Sequence, residues 1–409
     1  MQHKVSVTSE IGQLEAVVVH RPGGEIDNLT PDVMSSLLFD DIPYLPAMQT
    51  EHDRFVEVLR QHGVEVLQLH DLTTASLQDS GVRGRFLDQF LRESGVQETR
   101  AFARLKAHLL GLPVAGLVAT LTAGVAKRDV PEQSRGHLSD VVADQSPFHL
   151  EPLPNLYFTR DLAAVIGQGL SLSSMRWPAR RRETLFMQYI ARHHPLFRGL
   201  PIWFDREHIS PMEGGDQLVL SPDVLFVGIS ERTSADAVEM LARRLLATPG
   251  GIRKLVAVEI PKLRSCMHLD TVFTQVDIDK FTIHPDVLEG AKHLNLFVLD
   301  RDRRGDLRIE RHERLEAVLK ALLHLTSVDL IPCGGGDRVA ASREQWNDAS
   351  NTFAIAPGTV LAYDRNSISN DVLRRHGVTV IEIPSSELSR GRGGPRCMSM
   401  PLRRRSVAG

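Results

Sequence analysis

The segment Leu59-Arg60-Gln61-His62-Gly63-Val64-Glu65-Val66 returns near the other end of the chain as Leu373-Arg374-Arg375-His376-Gly377-Val378-Thr379-Val380, changed at two positions. Both copies read as a helix that stops at a glycine and continues as a strand. A second echo pairs Gly214-Gly215-Asp216 with Gly335-Gly336-Asp337, each after an apolar stretch and a proline, Pro211 or Pro332. Such matches are short. Joined to an alternation of strand and helix signals along the chain, they predict an α/β fold of repeated ββαβ units rather than one doubly wound sheet. The first strand reads as Leu14 to His20, closed by the turn Arg21-Pro22-Gly23-Gly24. Thr50 then reads as the N-cap of a helix with Asp53 three residues on and Phe55, Val58 and Leu59 as its apolar stripe. Val64 to Leu69 returns as a strand.

Residues 75–146 break the alternation. Helical patterns over Gly84–Leu91, Glu98–Leu110 and Val114–Ala126 mark this stretch as a helical insertion, leaving 1–74 and 147–409 as the α/β body. Leu109 to Ala126 carries no formal charge and reaches the minimum length of a membrane span. Gly111, Pro113, Gly116 and Gly124 interrupt it, so two short buried helices are expected and no membrane segment. The first twenty residues lack the basic start and apolar run of an export signal. Cys266, Cys333 and Cys397 are too few for a disulfide framework, which fits a reducing, cytoplasmic setting. Lys plus Arg number 48 against 51 Asp plus Glu, and aromatic residues are 5%. That balance argues against a nucleic-acid partner, which calls for a basic face and stacking platforms.

Chemistry concentrates near the C-terminus. Cys397 lies in Gly391-Arg392-Gly393-Gly394-Pro395-Arg396-Cys397-Met398, and six arginines and no acids fall between Arg390 and Arg405. Cationic neighbours favour thiolate, and glycines let a loop approach a ligand or move. An incidental thiol in a basic tail is the plain alternative. Cys266-Met267-His268-Leu269-Asp270 follows a strand-like run; if extended, it places Cys266, His268 and Asp270 on one face. Glu213-Gly214-Gly215-Asp216 sets two acids in a tight turn, and Asn155-Leu156-Tyr157-Phe158-Thr159-Arg160-Asp161 leads into an apolar strand from Leu162 to Ile166. Neither glycine turn has phosphate-loop spacing, and no cysteine or histidine pair has zinc-ligand spacing, so no metal or other cofactor is expected. A nucleophile, a histidine and an excess of carboxylates suit a covalent thiol hydrolase or transferase acting on a cation. A planar guanidinium, which two carboxylates can grip bidentately, fits best.

With these motifs in order, and with Leu38-Phe39-Asp40-Asp41, Arg176-Trp177-Pro178-Ala179-Arg180-Arg181-Arg182-Glu183 and Glu231-Arg232-Thr233 between them, the chain resembles the arginine deiminases nearly end to end. The resemblance implies a five-bladed pseudo-fivefold α/β propeller with a helical insertion, L-arginine as substrate, and citrulline and ammonia as products. It implies Cys397 as nucleophile, His268 as general acid/base, Glu213 as the partner of His268, and Asp161 and Asp270 as the guanidinium clamp. It also implies a substrate-binding shell of Asn155, Phe158, Arg180, Asp216, Arg232 and Arg392, and a homo-oligomer is expected. Other guanidine-modifying reactions, such as methylarginine hydrolysis or amidinotransfer, and non-catalytic arginine binding are the competing readings. Many family members carry Gly-His before the cysteine where this chain has Pro395-Arg396. Neighbouring side chains on an extended loop diverge, so Arg396 is expected to face solvent and to affect the thiol little.

Overall fold

A computed structural model describes residues 5–96, 100–130, 146–264, 266–285 and 295–407. Five of the six sheets among these residues share one pairing scheme, in which a central strand takes one antiparallel and one parallel neighbour. Leu14–Val19 lies between antiparallel Met400–Arg404 and parallel Glu65–Gln68. Gly169–Leu172 lies between Ala163–Ile166 and Ile202–Phe204, and Val224–Ile229 between Gln217–Ser221 and Lys254–Glu259. Lys280–Ile283 lies between Phe273–Gln275 and Asp329–Pro332, and Thr359–Tyr363 between Phe353–Ala356 and Thr379–Ile383. A parallel neighbour needs a crossover, and each is made by a helix: Leu45–Gln61, Pro178–His193, Ala235–Leu245, Leu315–Leu323 and Ser367–Arg375. The hairpin Leu296–Arg301 and Leu307–His312 departs from the scheme by extending the third sheet beyond Lys254–Glu259.

The repeated octapeptide falls at one structural place twice. Gly63 and Gly377 adopt φ of 76° and 80°, the left-handed region that glycine enters without a Cβ penalty. Val64 N–H donates to Leu59 O at 3.1 Å and Val378 N–H to Leu373 O at 3.0 Å, the six-to-one bond of a Schellman cap. The glycine–aspartate echo has no such equivalence. Gly334, Gly335 and Gly336 all have positive φ, whereas Gly214 and Gly215 do not.

Several boundaries differ from those expected. Thr50 is inside the helix Leu45–Gln61, whose N-cap is Tyr44, and its hydroxyl donates to Pro46 O at 2.9 Å. The stronger start signal was Pro46, which fits a first helical turn because its missing N–H would go unpaired there anyway. Helix begins again at Leu69, not after it, and Leu69–Ser76 is followed by Ser80–Glu93, Arg100–Leu110 and Val114–Ala123. The apolar run breaks at Gly111–Pro113 as expected, and its tail Val125–Ala126 is strand, paired with Phe148–Leu150. No helix among the described residues is long and apolar enough to cross a membrane. The start expected at Glu98 and most of the polar turns before Pro147 lie outside the described residues.

These helices brace the site from behind. Phe86 meets Phe186 at 5.5 Å and Tyr189 at 5.0 Å between ring centroids, both edge-on, the preferred aromatic geometry. Phe186 and Tyr189 belong to Pro178–His193, whose first turns also carry Arg180 and Glu183, both buried.

Candidate active site

Each of the five sheets is led into by a short turn, and these turns meet one another. Thr159–Leu162 precedes Ala163, Gly214–Asp216 precedes Gln217, and Leu269–Val272 precedes Phe273. They place Asp161, Asp216 and Asp270 at corresponding points, just before an antiparallel strand. Asn351 precedes Phe353 in the same way, and Cys397 precedes Met400. Neighbouring turns are joined: Arg160 N–H donates to Cys397 O (3.1 Å), Cys397 N–H to Asn351 Oδ1 (3.0 Å), Asn351 Nδ2 to Asp270 O (3.1 Å) and Leu269 N–H to Asp216 Oδ1 (2.8 Å). Gly215 passes so close to the next turn that a Cβ there would sit 2.7 Å from the His268 ring, which explains the glycine.

The expectation that 266–270 is extended fails after His268. Residue 268 is extended at φ −134°, ψ 164°, and Asp270 is already helical. Cys266 is buried in an apolar cluster with Leu269 and Phe273 and does not line the cavity that His268 lines. His268 and Asp270 both reach the centre, where Asp161, Glu213 and Cys397 also lie. His268 Nε2 is 2.8 Å from Glu213 Oε2, and its Nδ1 is 3.8 Å from Asp161 Oδ1. Burial opposes a charge on His268, but Asp161, the Glu213 hydrogen bond and Asp216 overcome it and push the imidazolium up to about 9. Burial likewise raises Glu213, yet Arg232, His268 and Arg180 hold it down at about 2. The pair is therefore ionic at neutral pH.

That pair predicts a pH signature. A folded-state value of about 9 against an ordinary 6.5 means that His268 contributes fully below about pH 6.5 and ceases to as pH approaches 9. The stability gap between wild type and His268→Gln, read from urea midpoints, is expected to shrink across that window. A gap independent of pH would contradict the charged pair.

Cys397 does not sit in the cationic surroundings its sequence neighbours suggested. Burial raises its thiol well above the ordinary value, and Asp270, Asp161 and Asp348 add to the rise, with Arg396 opposing. Its Sγ is 3.8 Å from Asp270 Oδ2. Arg396 is not solvent-facing either: it is 1% exposed, with Nη1 2.6 Å from Asp270 Oδ2, Nε 2.9 Å from Glu10 Oε2 and Nη2 2.9 Å from Gln217 O. The divergence of neighbouring side chains was real, but it turned Arg396 inward to two buried acids.

Arg180 holds Asp161 Oδ2 at 2.7 Å and Glu183 Oε2 at 2.9 Å. Asp161 and Asp270 each thus have one oxygen taken by a protein guanidinium. The other oxygen of each, Oδ1, is buried without a hydrogen-bond partner. Arg232 Nη1 is 3.5 Å from Glu213 Oε2, and Asn155 Nδ2 donates to Leu37 O at 2.7 Å. Phe158, Arg392, Leu38 and Met267 complete the wall of an enclosed cavity with about 20 Å³ free to the centre of a water, room for about one molecule. Asp216 is behind that wall: its oxygens accept from Leu269 N–H and from Ser230 Oγ at 2.7 Å, which fixes the turn carrying His268. Glu10, Asn351, Asp348 and Glu183 join the cluster without having been singled out in the sequence.

Among the described residues, one group that could hold a metal ion stands out: Asp161, Glu213 and His268 bring ligand atoms within 4.8 Å of one another. Arg180 and Arg232 already place positive charge on the same carboxylates, and His268 is protonated at neutral pH, so the arrangement suits proton transfer better than cation binding.

A family model described as arginine deiminase matches residues 35–404. The arginine deiminases of Bacillus thuringiensis subsp. konkukian, Bacillus cereus and Latilactobacillus sakei are each 50% identical to this chain, with 100% of both sequences covered. Among solved structures, the amidinotransferase SxtG from Microseira wollei matches with a TM-score of 0.55 at 14% identity, over 99% of this chain and 98% of its own. The product-bound N-terminal domain of ArgZ, an arginine dihydrolase from cyanobacteria, matches with a TM-score of 0.53 at 12% identity, over 95% and 97%. At those identities the structures speak to fold alone, and the fold they share with this chain is a mixed α/β one.

Proposed function

The chain belongs to the arginine deiminase family, and from that premise we propose that it hydrolyses L-arginine to L-citrulline and ammonia at Cys397. The observation that carries the site assignment is the pair of buried, unpartnered oxygens, Asp161 Oδ1 and Asp270 Oδ1, beside a thiol and an ionic His268–Glu213 pair. A spare buried acceptor on each of two carboxylates near the thiol is what a guanidinium's N–H groups need.

The thiol's high pKa fits this substrate. Asp161 and Asp270 disfavour a third negative charge, and a bound guanidinium neutralises them, so the thiolate forms as the cation arrives and its proton leaves to solvent. The thiolate attacks the central guanidino carbon. His268 gives its proton to the departing nitrogen, ammonia leaves, and an S-alkylthiouronium remains on Cys397. Neutral His268 then takes a proton from water, hydroxide adds to the same carbon, and collapse breaks the C–S bond to expel the thiolate, the added hydroxyl losing its proton to solvent to give citrulline. Glu213 keeps the imidazolium charged and oriented. No step calls for a metal or organic cofactor. Timed measurement of citrulline and ammonia from arginine tests the reading, and their absence would refute it.

Arg180 and Arg232, with Asn155, are proposed to receive the substrate α-carboxylate, with Phe158 and Arg392 forming the wall. Agmatine lacks that carboxylate. Each charged hydrogen bond lost costs ~1.5–3 kcal/mol, so kcat/KM for agmatine should fall on the order of a hundredfold or more. Equal rates for the two substrates would remove the clamp.

The same proposal extends to architecture. Five sheets with one pairing scheme, and lead-in turns bonded to their neighbours, support a five-bladed propeller about a pseudo-fivefold axis, with 75–146 as a helical insertion. No disulfide joins the three cysteines, which supports a reducing, cytoplasmic setting. A homo-oligomer is proposed with it; exposed Tyr44, Ile209 and Val339 offer apolar surface, and light scattering would read the assembly.

A further inference from the structure

The turn from Gln345 to Asn351 holds the cysteine loop at two points. Asn351 Oδ1 accepts the Cys397 N–H, which fixes the nucleophile. Farther up the loop, the guanidinium carbon of Arg392 lies 3.5 Å from the centre of the Trp346 ring, a cation–π contact. Asp348 is between these two residues in sequence, and the mechanism above does not use it.

Asp348 carries marks of a working group. It is 3% exposed, and its φ of 58° is left-handed, a conformation that costs a non-glycine residue energy and collects at functional sites. The turn enforces this conformation: Asp348 N–H donates to Gln345 O at 3.0 Å, and Asn351 N–H to Asp348 O at 2.9 Å. Its Oδ2 is buried without a hydrogen-bond partner. Burial pushes its carboxyl up to about 7, and Arg392 is the foremost cation opposing that rise.

Arg392 is the complementary case. It is 5% exposed and left-handed at φ 63°, it lines the cavity beside Cys397 and His268, and its Nε and Nη1 have no hydrogen-bond partner. Its other acidic neighbour, Asp40, is 3.8 Å away and already gripped by Arg264 through both oxygens. A buried guanidinium with spare donors and a buried carboxylate with a spare acceptor thus share one region, separated by more than a hydrogen bond. A cavity with room for about one water cannot take arginine until part of its wall moves.

We propose that Asp348 is a positioning residue for the cysteine loop, whose carboxylate receives the Arg392 guanidinium as it leaves the Trp346 ring and frees the cavity for the substrate. This rests on arginine being the substrate. It makes Trp346 the resting place of Arg392 and Asp348 its destination, so the substrate pays for entry only the difference between a cation–π contact and an ion pair.

The test joins kinetics to a spectroscopic readout. Asp348→Asn preserves shape and tolerates the left-handed backbone while removing the charge. In the Cys397→Ser background, titration with L-arginine should change the emission of Trp346, taken as the difference from the same titration in a W346F protein. D348N should abolish that change. In the otherwise wild-type enzyme, D348N should raise KM for arginine about tenfold or more while saturating kcat stays within about threefold. An unchanged KM, an equal fall in kcat and kcat/KM, or a lowered melting temperature with normal KM would each overturn the assignment. A wild-type protein that makes no citrulline would refute the substrate reading itself, whereas an active wild type with an unaltered D348N would refute this inference alone.

Discussion

Cys397→Ser is expected to reduce citrulline formation by more than about 10⁴-fold while arginine still binds. A serine hydroxyl is far less acidic than a thiol. In a site where burial and three carboxylates already resist a new negative charge, its alkoxide is out of reach even with the substrate cation present. The binding groups are untouched, because Asp161, Asp270, Arg180 and Arg232 are on other turns and helices. Calorimetry with arginine should therefore give a dissociation constant near the wild-type KM. Turnover within tenfold of wild type would exclude a covalent step at this position.

Arg396→Ala should be the most damaging change that leaves the catalytic set intact. The side chain joins Glu10, Asp270 and the Gln217 carbonyl, all buried. Its loss takes a hydrogen-bonded cation from two buried carboxylates, and breaking such a pair costs about 3–5 kcal/mol. A urea titration would show the loss directly. The thiol should respond too. Arg396 is the foremost cation opposing the rise in the Cys397 pKa, so its removal should move the alkylation profile to higher pH. A variant with wild-type stability and an unmoved profile would show that Arg396 faces solvent after all.

Arg396 also marks the limit of what the sequence made legible. Cys397, His268, Glu213, Asp161 and Asp270 stand in motifs whose residue types announce their chemistry, and the fold gathers them: Cys397, His268 and Asp161 line one cavity, with Glu213 against His268 and Asp270 against Cys397. The octapeptide repeat was legible because a Schellman cap imposes a glycine and a helix length wherever it occurs. Arg396 was misread because its direction depends on Glu10, a lone acid far away in sequence with no local pattern to mark it. Asn351 and Asp348 were silent for the same reason: a turn's hydrogen bonds to a distant loop leave no periodicity. Thr50 was misread because a plausible cap lay one turn inside a helix that Pro46 had already opened.

The pairing of Leu14–Val19 with Met400–Arg404 ties residues nearly four hundred positions apart into one sheet, three positions from Cys397, the proposed nucleophile. During synthesis, the first sheet must wait with one edge open until Met400–Arg404 has left the ribosome. Such a contact carries a large loop-closure cost, and folds dominated by distant pairings form slowly. Cys397 is bonded through its own N–H and carbonyl to turns from two other sheets, so the reactive thiol reaches its place only when that seam closes. Chemical competence thereby waits on the pairing of Met400–Arg404, and a chain not yet extended that far holds no assembled Cys397 site.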